Sequence, residues 1–198
     1  MKTQISEFLQ TRIDAKDFPS AVYLVAEKGE IVLQDALGFA VVEPEKIEAK
    51  LETIYDLASL TKVLVTSLLC AKLIENGEIR LSDKISKYFS EFDTDEKREI
   101  TIENLLTHTS GFEAWKPFYL LSDFRFEIPN LIGSQLLENP INSRVVYSDF
   151  NFITLCFLVE KIYEKRISEI ATIEFFEPLN LQILFSIRLN YCKTNCRF

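Results

Sequence analysis

Residues 55–69, YDLASLTKVLVTSLL, mark the point where a polar stretch becomes an apolar helix. Ser59 and Lys62 lie three residues apart at this junction. Residues i and i+3 share one face of a helix, so we expect both side chains to face the same cleft. A serine hydroxyl becomes a nucleophile when a neighbouring base takes its proton, and a lysine kept neutral by burial can be that base. Serine is also a common helix N-cap, so the motif alone leaves both interpretations open.

The composition indicates a folded domain. The 198-residue chain is 47% hydrophobic and carries 22 basic against 30 acidic residues, a net charge of −8. It has no Lys/Arg cluster of the kind that neutralises phosphates, which argues against a nucleic-acid partner. Residues 1–18 lack a signal-peptide pattern, and no apolar run reaches the roughly 18 residues needed to span a bilayer. We therefore expect one domain without a membrane span, located in the cytoplasm.

The four cysteines fit neither a disulfide scaffold nor a metal site. Cys70 and Cys156 lie within apolar helical runs, where a thiol is expected to be buried. Cys192 and Cys196 form a C-x3-C pair near the end, far from the single histidine, His108. Four scattered cysteines are too few to staple a domain of this size. We expect no metal ion and no cofactor.

Hydrophobic periodicity predicts an α+β fold. Apolar residues recur at helical spacing over residues 3–15, which predicts an opening helix with one buried face. Two β-rich runs over residues 20–40 flank a Gly-containing loop at residues 27–30, a pattern typical of a β-hairpin. Residues 60–75 are predicted to form a helix that is apolar on nearly all sides, so we expect it to be buried.

The second half of the chain is predicted to be mainly helical. A short helix begins near Thr101, and a further helix lies near residues 131–138. Residues 144–165, RVVYSDFNFITLCFLVEKIYEK, change from a short extended run to a long apolar helix. Residues 112–126 are rich in aromatic side chains, for which core packing and a pocket wall or lid both remain open.

Four blocks of the sequence carry a resemblance to a known superfamily. In chain order they are TIYDLASLTK (53–62), GEIRLSDKISKYF (77–89), ITIENLLTHTSGF (100–112) and YSDFNFITLCFLVEKI (147–162). In this order and at these separations they resemble the serine β-lactamase and penicillin-binding protein superfamily, particularly its class C, DD-peptidase and esterase-like branch. The resemblance implies that Ser59 is the acylated nucleophile and Lys62 its activating partner.

The fourth block implies a third catalytic residue. Tyr147 takes the place of the tyrosine in the Y-x-N element of these proteins, which passes a proton to the leaving group. The third position is Asp149 here, so an amide that donates and accepts becomes a carboxylate that only accepts. An alternative register matches Ser148 and Asp149 to an S-D-N element, but Phe150 intervenes before Asn151.

Three residues are predicted to contact substrate, namely Asp149, Trp115 and Phe112. The aromatic side chains indicate an apolar acyl or alkyl group on that substrate. His108 lies in the LLTHTSG turn (105–111), where the resemblance implies a structural hydrogen-bonding role. A serine–histidine–aspartate triad would also need a nucleophile elbow such as G-x-S-x-G, which this sequence lacks.

The resemblance runs to about residue 182. The superfamily's third catalytic element is a K-T-G or H-x-G-type triplet on a downstream strand, which also supplies an oxyanion-hole N–H. Lys193 and Thr194 match its start, but the glycine is missing and the pair lies too close to Tyr147 in sequence. From Pro178 onward the chain has no Asp or Glu. We hypothesise an early stop or a change of reading frame in a longer ancestral gene.

The resemblance predicts a partial domain over residues 1–180, with a helical subdomain at about 63–145, and a divergent tail over residues 181–198. The fold class is α+β of the β-lactamase/DD-peptidase type. It comprises an N-terminal helix and β-hairpin plus the helical subdomain, with the C-terminal strands of the sheet missing. The hairpin would then keep an unpaired edge, which favours self-association.

The predicted function is a serine hydrolase that forms an acyl-enzyme on a small-molecule or peptide amide or ester. The missing strand is expected to impair this activity. The alternative is a catalytically inactive remnant, or an interaction module, of the same fold. Labelling of Ser59 by a penicillin or an activated ester distinguishes the two.

Overall fold

The computed structural model describes residues 3–122 and 124–181. The predictions for the two C-terminal cysteines and the Lys-Thr pair fall in residues 182–198 and lie outside the described residues. The chain divides into two compact units, unit 1 (residues 1–56) and unit 2 (residues 57–198). The domain boundaries proposed from the sequence stay predictions.

Unit 1 consists, over its described residues, of one helix and a three-stranded antiparallel sheet. The elements are α1 (Gln4–Asp14), β1 (Ser20–Glu27), β2 (Glu30–Val41) and β3 (Ile47–Glu48), and the strand order is β1-β2-β3. Lys28 and Gly29 form the loop between β1 and β2 with φ values of 53° and 85°. Two positive φ values are the type I′ geometry that matches the twist of a hairpin. The predicted helix and hairpin are confirmed, whereas β3 is too short for its sequence to show a periodic pattern.

A hydroxyl cluster holds α1 against the sheet. Ser6 is buried, and its Oγ donates to Asp35 Oδ2 at 2.6 Å and lies 2.7 Å from Tyr23 Oη.

Gly38 has a φ of 77°, and a Cβ there would lie 2.2 Å from the carbonyl oxygen of Pro19, so only glycine fits. Among the strands that the structure describes, β1 lies at an edge of the sheet, and association through that edge stays a prediction.

Unit 2 is built mainly from helices, over its described residues. They are α2 (Leu68–Glu75), α3 (Ile102–Leu106), α4 (Ile128–Gly133), α5 (Asp149–Tyr163) and α6 (Ile167–Ala171), with π-helical turns at Lys62–Ser67 and Thr172–Phe176 and 3-10 turns at Ile85–Lys87, Ser90–Phe92, Phe118–Leu120 and Arg125–Glu127. The predicted long helix is confirmed as α5, and its side chains Phe150, Leu155 and Leu158 are fully buried in the core. Cys70 is buried as expected, and burial raises the pKa of its thiol to about 12. Cys156 keeps some exposed surface, but burial raises the pKa of its thiol to about 12 as well.

The helix after Ser59 is buried on one side only. It starts with the π-helical turn and continues as α2, so the helix predicted over residues 60–75 is confirmed. Its buried side chains are Thr66, Leu69, Cys70 and Leu73, and its exposed apolar side chains are Leu60, Val63, Leu64 and Leu68. The prediction of a buried helix is thus confirmed only for the face that carries these buried side chains, and within unit 2 this helix contacts α5.

The two short helices α3 and α4 differ in how well the sequence predicts them. Thr101 Oγ1 accepts the Asn104 N–H at 3.2 Å, and Asn104 Oδ1 accepts the Thr101 N–H at 3.0 Å. This capping box confirms the predicted start of α3. α4 lies several residues before the predicted 131–138, because Pro129 favours the first turn of a helix, where its missing N–H is not needed.

The turn after α3 is hydrogen-bonded to the segment before α5. Gly111 has a φ of 91°, and a Cβ there would lie 2.1 Å from the carbonyl oxygen of Asn139. The N–H of Asn139 donates to the Gly111 carbonyl at 3.2 Å, and that of Val146 to the His108 carbonyl at 2.9 Å. These main-chain bonds fix the segment that leads into Tyr147.

Candidate active site

Ser59 lies at a sharp turn where the first helix of unit 2 starts. The preceding residue, Ala58, has a φ of 43°, a left-handed conformation that costs a non-glycine residue roughly 1–2 kcal/mol. The N–H of Leu60 donates to the Leu57 carbonyl at 2.9 Å and that of Lys62 to the Ser59 carbonyl at 3.0 Å, so hydrogen-bonded turns lead through Ser59 into the helix. Ser59 itself is exposed. The turn therefore presents the hydroxyl to solvent at a helix start, where the main-chain dipole favours a developing negative charge.

Lys62 connects Ser59 to the segment that leads into α5. Its Nζ donates a hydrogen bond to Ser59 Oγ at 3.2 Å and lies 2.7 Å from Asp149 Oδ1. The same nitrogen lies 5.1 Å from the ring centroid of Tyr147. The structure thus gathers the predicted residues Ser59, Tyr147 and Asp149 around one ammonium group, although two of them lie far along the chain.

The lysine of this cluster is held as a cation. Only 16% of the Lys62 side chain and 33% of the Asp149 side chain are exposed. Burial lowers the pKa of Lys62, but hydrogen bonds to Asp149 and Tyr147 together outweigh it, so the pKa lies above its usual 10.5. At neutral pH Lys62 therefore donates to Ser59 Oγ. The neutral amine, which could take the proton of Ser59, is not the resting form.

His108 supports the segment that carries Tyr147. Its Nδ1 accepts the main-chain N–H of Ser148 at 3.1 Å and lies 3.2 Å from Asn151 Nδ2. Because Nδ1 accepts, the neutral ring carries its proton on Nε2. Burial lowers the pKa of His108, and the charge of Lys62 lowers it further. The ring also lies 4.7 Å from the Tyr147 ring, so these contacts agree with the hydrogen-bonding role that the resemblance implies.

Ser148 and Asn151 are buried polar residues that the sequence interpretation did not place in the site. Ser148 Oγ donates to the carbonyl of Glu113 at 2.6 Å, and Asn151 Oδ1 accepts from Ser110 Oγ at 2.6 Å. A buried polar group is stable only with such partners. The signal that could have found them is a pair of polar residues interrupting the apolar pattern at the start of α5.

The two predicted aromatic contacts have different surroundings. Phe112 is 1% exposed and packs edge-on against Phe92 and Phe150, with ring centroids 6.1 and 6.0 Å away. The side chain is part of the core and offers no surface to a substrate. The prediction that Phe112 contacts substrate is therefore corrected. Trp115 is 52% exposed, and the carbonyl of the residue before it accepts the Asp149 N–H at 2.8 Å. A substrate contact by Trp115 stays a prediction.

Within residues 3–122 and 124–181, no three His, Cys, Asp or Glu side chains converge as metal ligands. No helix in these ranges is long and apolar enough to cross a bilayer. The groups that meet at the site are a hydroxyl, an ammonium, a phenol and a carboxylate, which together suit acyl transfer.

Unit 1 contains a helix and an antiparallel sheet, and the mainly helical unit 2 carries Ser59 near its start. This order of elements is that of β-lactamase-like and penicillin-binding-protein-like folds. Residues 5–183 match the family model described as Beta-lactamase. The match covers most of the sequence. The chain therefore belongs to the β-lactamase family.

The named relatives that this chain matches are longer than the chain itself. A Salmonella typhimurium protein named "Putative D-alanyl-D-alanine carboxypeptidase" is 31% identical over 199 residues, a match that covers 90% of this chain and 46% of the relative. A protein of the same name from Salmonella schwarzengrund gives the same identity and coverage. The chain spans about half the length of the curated relatives it matches.

Solved structures confirm the predicted fold class. EstCE1, described as a hydrolase with promiscuous acyltransferase activity, has a TM-score of 0.77 at 22% identity, covering 89% of this chain and 50% of its own. An octameric penicillin-binding protein homologue from Pyrococcus abyssi has a TM-score of 0.77 at 21% identity, covering 89% and 42%. A class C β-lactamase has a TM-score of 0.76 at 18% identity, covering 89% and 48%. At these identities the likeness concerns the fold alone.

Proposed function

We propose that this chain is a serine hydrolase in which Ser59 forms an acyl-enzyme with an amide or ester. The observation that carries the proposal is the contact between Lys62 Nζ and Ser59 Oγ at 3.2 Å, with Tyr147 and Asp149 around the same ammonium. Membership of the β-lactamase family supports it. The names of a carboxypeptidase relative and of a hydrolase neighbour support amides and esters as the substrate class.

The proposed reaction follows the two steps of acyl transfer. Ser59 Oγ attacks the carbonyl carbon, and the bond to the leaving amine or alcohol breaks. The hydroxyl proton ends on the leaving group, with Tyr147 as the predicted carrier. Water then hydrolyses the Ser59 ester and restores the hydroxyl. The helix start beside Ser59 stabilises the negative charge that develops on the carbonyl oxygen.

We further propose that acylation of this chain is slow. The family resemblance assigns the second oxyanion donor to a strand with a K-T-G or H-x-G-type triplet, which no triplet of this sequence matches. Loss of one such donor costs on the order of 100- to 1000-fold in turnover. Acylation should therefore be visible as a slow covalent adduct before it is visible as turnover.

Covalent labelling tests the proposal. The purified chain is incubated with a fluorescent penicillin and, separately, with an activated aryl ester, and the adduct is located by intact-mass and peptide mass spectrometry. We expect an adduct on Ser59 in the wild type and in Ser67→Ala, which alters a serine of the same helix, but not in Ser59→Ala. A folded chain that never forms an adduct with either reagent would favour the alternative, an inactive remnant or interaction module.

A further inference from the structure

Asp149 is the position where this chain departs from the element it otherwise resembles. A neutral amide ends the Y-x-N element, whereas this chain has a carboxylate there. Asp149 Oδ1 lies 2.7 Å from Lys62 Nζ, and the same nitrogen donates to Ser59 Oγ at 3.2 Å. A full negative charge therefore lies one contact away from the serine hydroxyl.

The carboxylate is fixed where it can act on the lysine. Asp149 is the first residue of α5, a helix of 15 residues, and helix N-termini stabilise negative charge. Its N–H donates to the carbonyl of Ala114 at 2.8 Å, and the preceding residue, Ser148, is fully buried and hydrogen-bonded on both sides. The main chain that leads into the carboxylate is thus anchored at Ser148 and at the Asp149 N–H.

The groups that face Lys62 favour its ammonium form. Asp149 supplies the counter-charge, and the rings of Tyr147 and Phe152 lie 5.1 and 6.0 Å from the nitrogen, where ring faces attract a cation. The Tyr147 phenol also hydrogen-bonds the ammonium. His108, a further titratable neighbour, adds no positive charge while its Nδ1 accepts the Ser148 N–H. Because both members of the ion pair are partly buried, solvent and salt screen it less than a surface pair.

We propose that Asp149 sets the protonation state of Lys62 and thereby the pH at which Ser59 is acylated. With Asp149 ionised, Lys62 donates to Ser59 Oγ and has no lone pair to accept the serine proton. Once Lys62 has lost its proton, the same nitrogen accepts the proton of Ser59 while Oγ bonds to the carbonyl carbon. The bond to the leaving amine or alcohol then breaks, and the proton passes to that group with Tyr147 as the predicted carrier. Asp149 acts through Lys62 and is thus a positioning residue. The effect of Asp149 on the pH of acylation rests on the proposed function, whereas its effect on the protonation of Lys62 does not.

The first step is tested without any reaction. The titration of Lys62 is followed by NMR in the full chain carrying 13C-labelled lysine, with the signal assigned from Lys62→Arg. In Asp149→Asn we expect Lys62 to titrate at lower pH than in the wild type, because the amide fills the same space without the charge. Glu174→Gln is the matched control, since it removes the carboxylate of another partly buried ion pair, that of Lys72, and should leave Lys62 unchanged.

The second step is tested by the pH profile of Ser59 labelling. In Asp149→Asn the part of the profile where the labelling rate rises with pH should move to lower pH. At a fixed pH within that part, labelling should be tenfold faster for each pH unit of the shift, because one pKa unit corresponds to a factor of ten. Asp149→Glu, which restores the charge, should move this part of the profile back towards the wild type. If Asp149→Asn fails to fold, Asp149→Ser serves the same comparison.

The outcomes separate this inference from the proposed function. An unchanged Lys62 titration in Asp149→Asn overturns the inference, and so does slower labelling with an unshifted pH profile. A chain in which neither form labels Ser59 contradicts the proposed function, while a shifted Lys62 titration in that same chain still supports the control of Lys62 by Asp149.

Discussion

The two sides of the candidate site are built in different ways. Ser59 and Lys62 belong to one helical turn, so their contact follows from local spacing and costs a strained residue, Ala58. Tyr147 and Asp149 belong to a segment that is held by hydrogen bonds from a distant turn. One side is therefore set by a few consecutive residues, and the other by tertiary packing. A substitution in the distant turn should disturb the tyrosine side while the helix side keeps its local geometry.

Gly111→Ala should produce the largest effect on the tyrosine side. The residue has a φ of 91°, and the new Cβ would meet the Asn139 carbonyl oxygen at 2.1 Å, so main chain must move. We expect the free energy of unfolding to fall by about 3 kcal/mol or more, as measured by urea denaturation.

Gly77→Ala is the matched control for that substitution. Gly77 has a similar φ, 75°, but a Cβ added there would meet no atom within 4 Å. Only the left-handed strain remains, at roughly 1–2 kcal/mol. Equal losses for Gly77→Ala and Gly111→Ala would show that close packing of the turn against the segment before α5 contributes nothing.

Acid should weaken the tyrosine side through His108. Burial and Lys62 lower the pKa of this histidine in the folded chain, below its usual 6.5. As the pH falls below 6.5, the unfolded chain binds a proton that the folded chain does not, so the free energy of unfolding decreases until the folded pKa is passed. The stabilisation is complete above the unfolded pKa and is lost as the pH falls through the lowered pKa of the folded chain.

His108→Asn isolates this titration. The Asn Oδ1 can accept the Ser148 N–H in place of Nδ1 but does not titrate in this range. Denaturation is measured between about pH 4 and pH 8, which brackets the usual histidine pKa. The free energy of unfolding should depend less on pH in the variant than in the wild type. An identical slope in both chains would assign the acid sensitivity to other groups.

The smallest effect is expected on the helix side, from Ala58→Gly. Glycine adopts a φ of 43° without the left-handed penalty, although it loses more chain entropy on folding. We expect stabilisation by up to about 1 kcal/mol in thermal or urea denaturation.

Ala71→Gly supplies the opposite sign for comparison. Ala71 lies on an exposed position of α2 with ordinary helical geometry. Glycine there should destabilise the chain by about 1 kcal/mol. Destabilisation by both substitutions would argue that the turn before Ser59 stores no strain.

The same contrast explains what could be predicted from the sequence. The contact of Ser59 with Lys62 could be predicted, because i and i+3 residues meet in any helix. Tyr147 was placed only through the family resemblance, since nothing local links it to Ser59. The ion pair between Lys62 and Asp149 could not be foreseen, because it depends on how the start of α5 packs against the earlier helix.

Burial was the harder quantity to predict. Phe112 lies in an aromatic run whose members divide between the core and the surface, and composition does not say which side each takes. Leu60 and Val63 are as apolar as the buried Leu69, yet they are exposed. A pattern that is apolar all round indicates what a helix can bury, but its neighbours determine which face is buried.

The π-helical turn at Lys62–Ser67 separates two directions on one helix. Such a turn contains more residues than an α-helical one, so it offsets the side chains before it from those after it. Deleting one residue between positions 63 and 66 would shift the serine end by about 100° relative to the face that carries Leu69 and Leu73. The number of residues in this segment therefore determines the direction in which Ser59 faces around the helix axis, independently of the side chains that pack in the core.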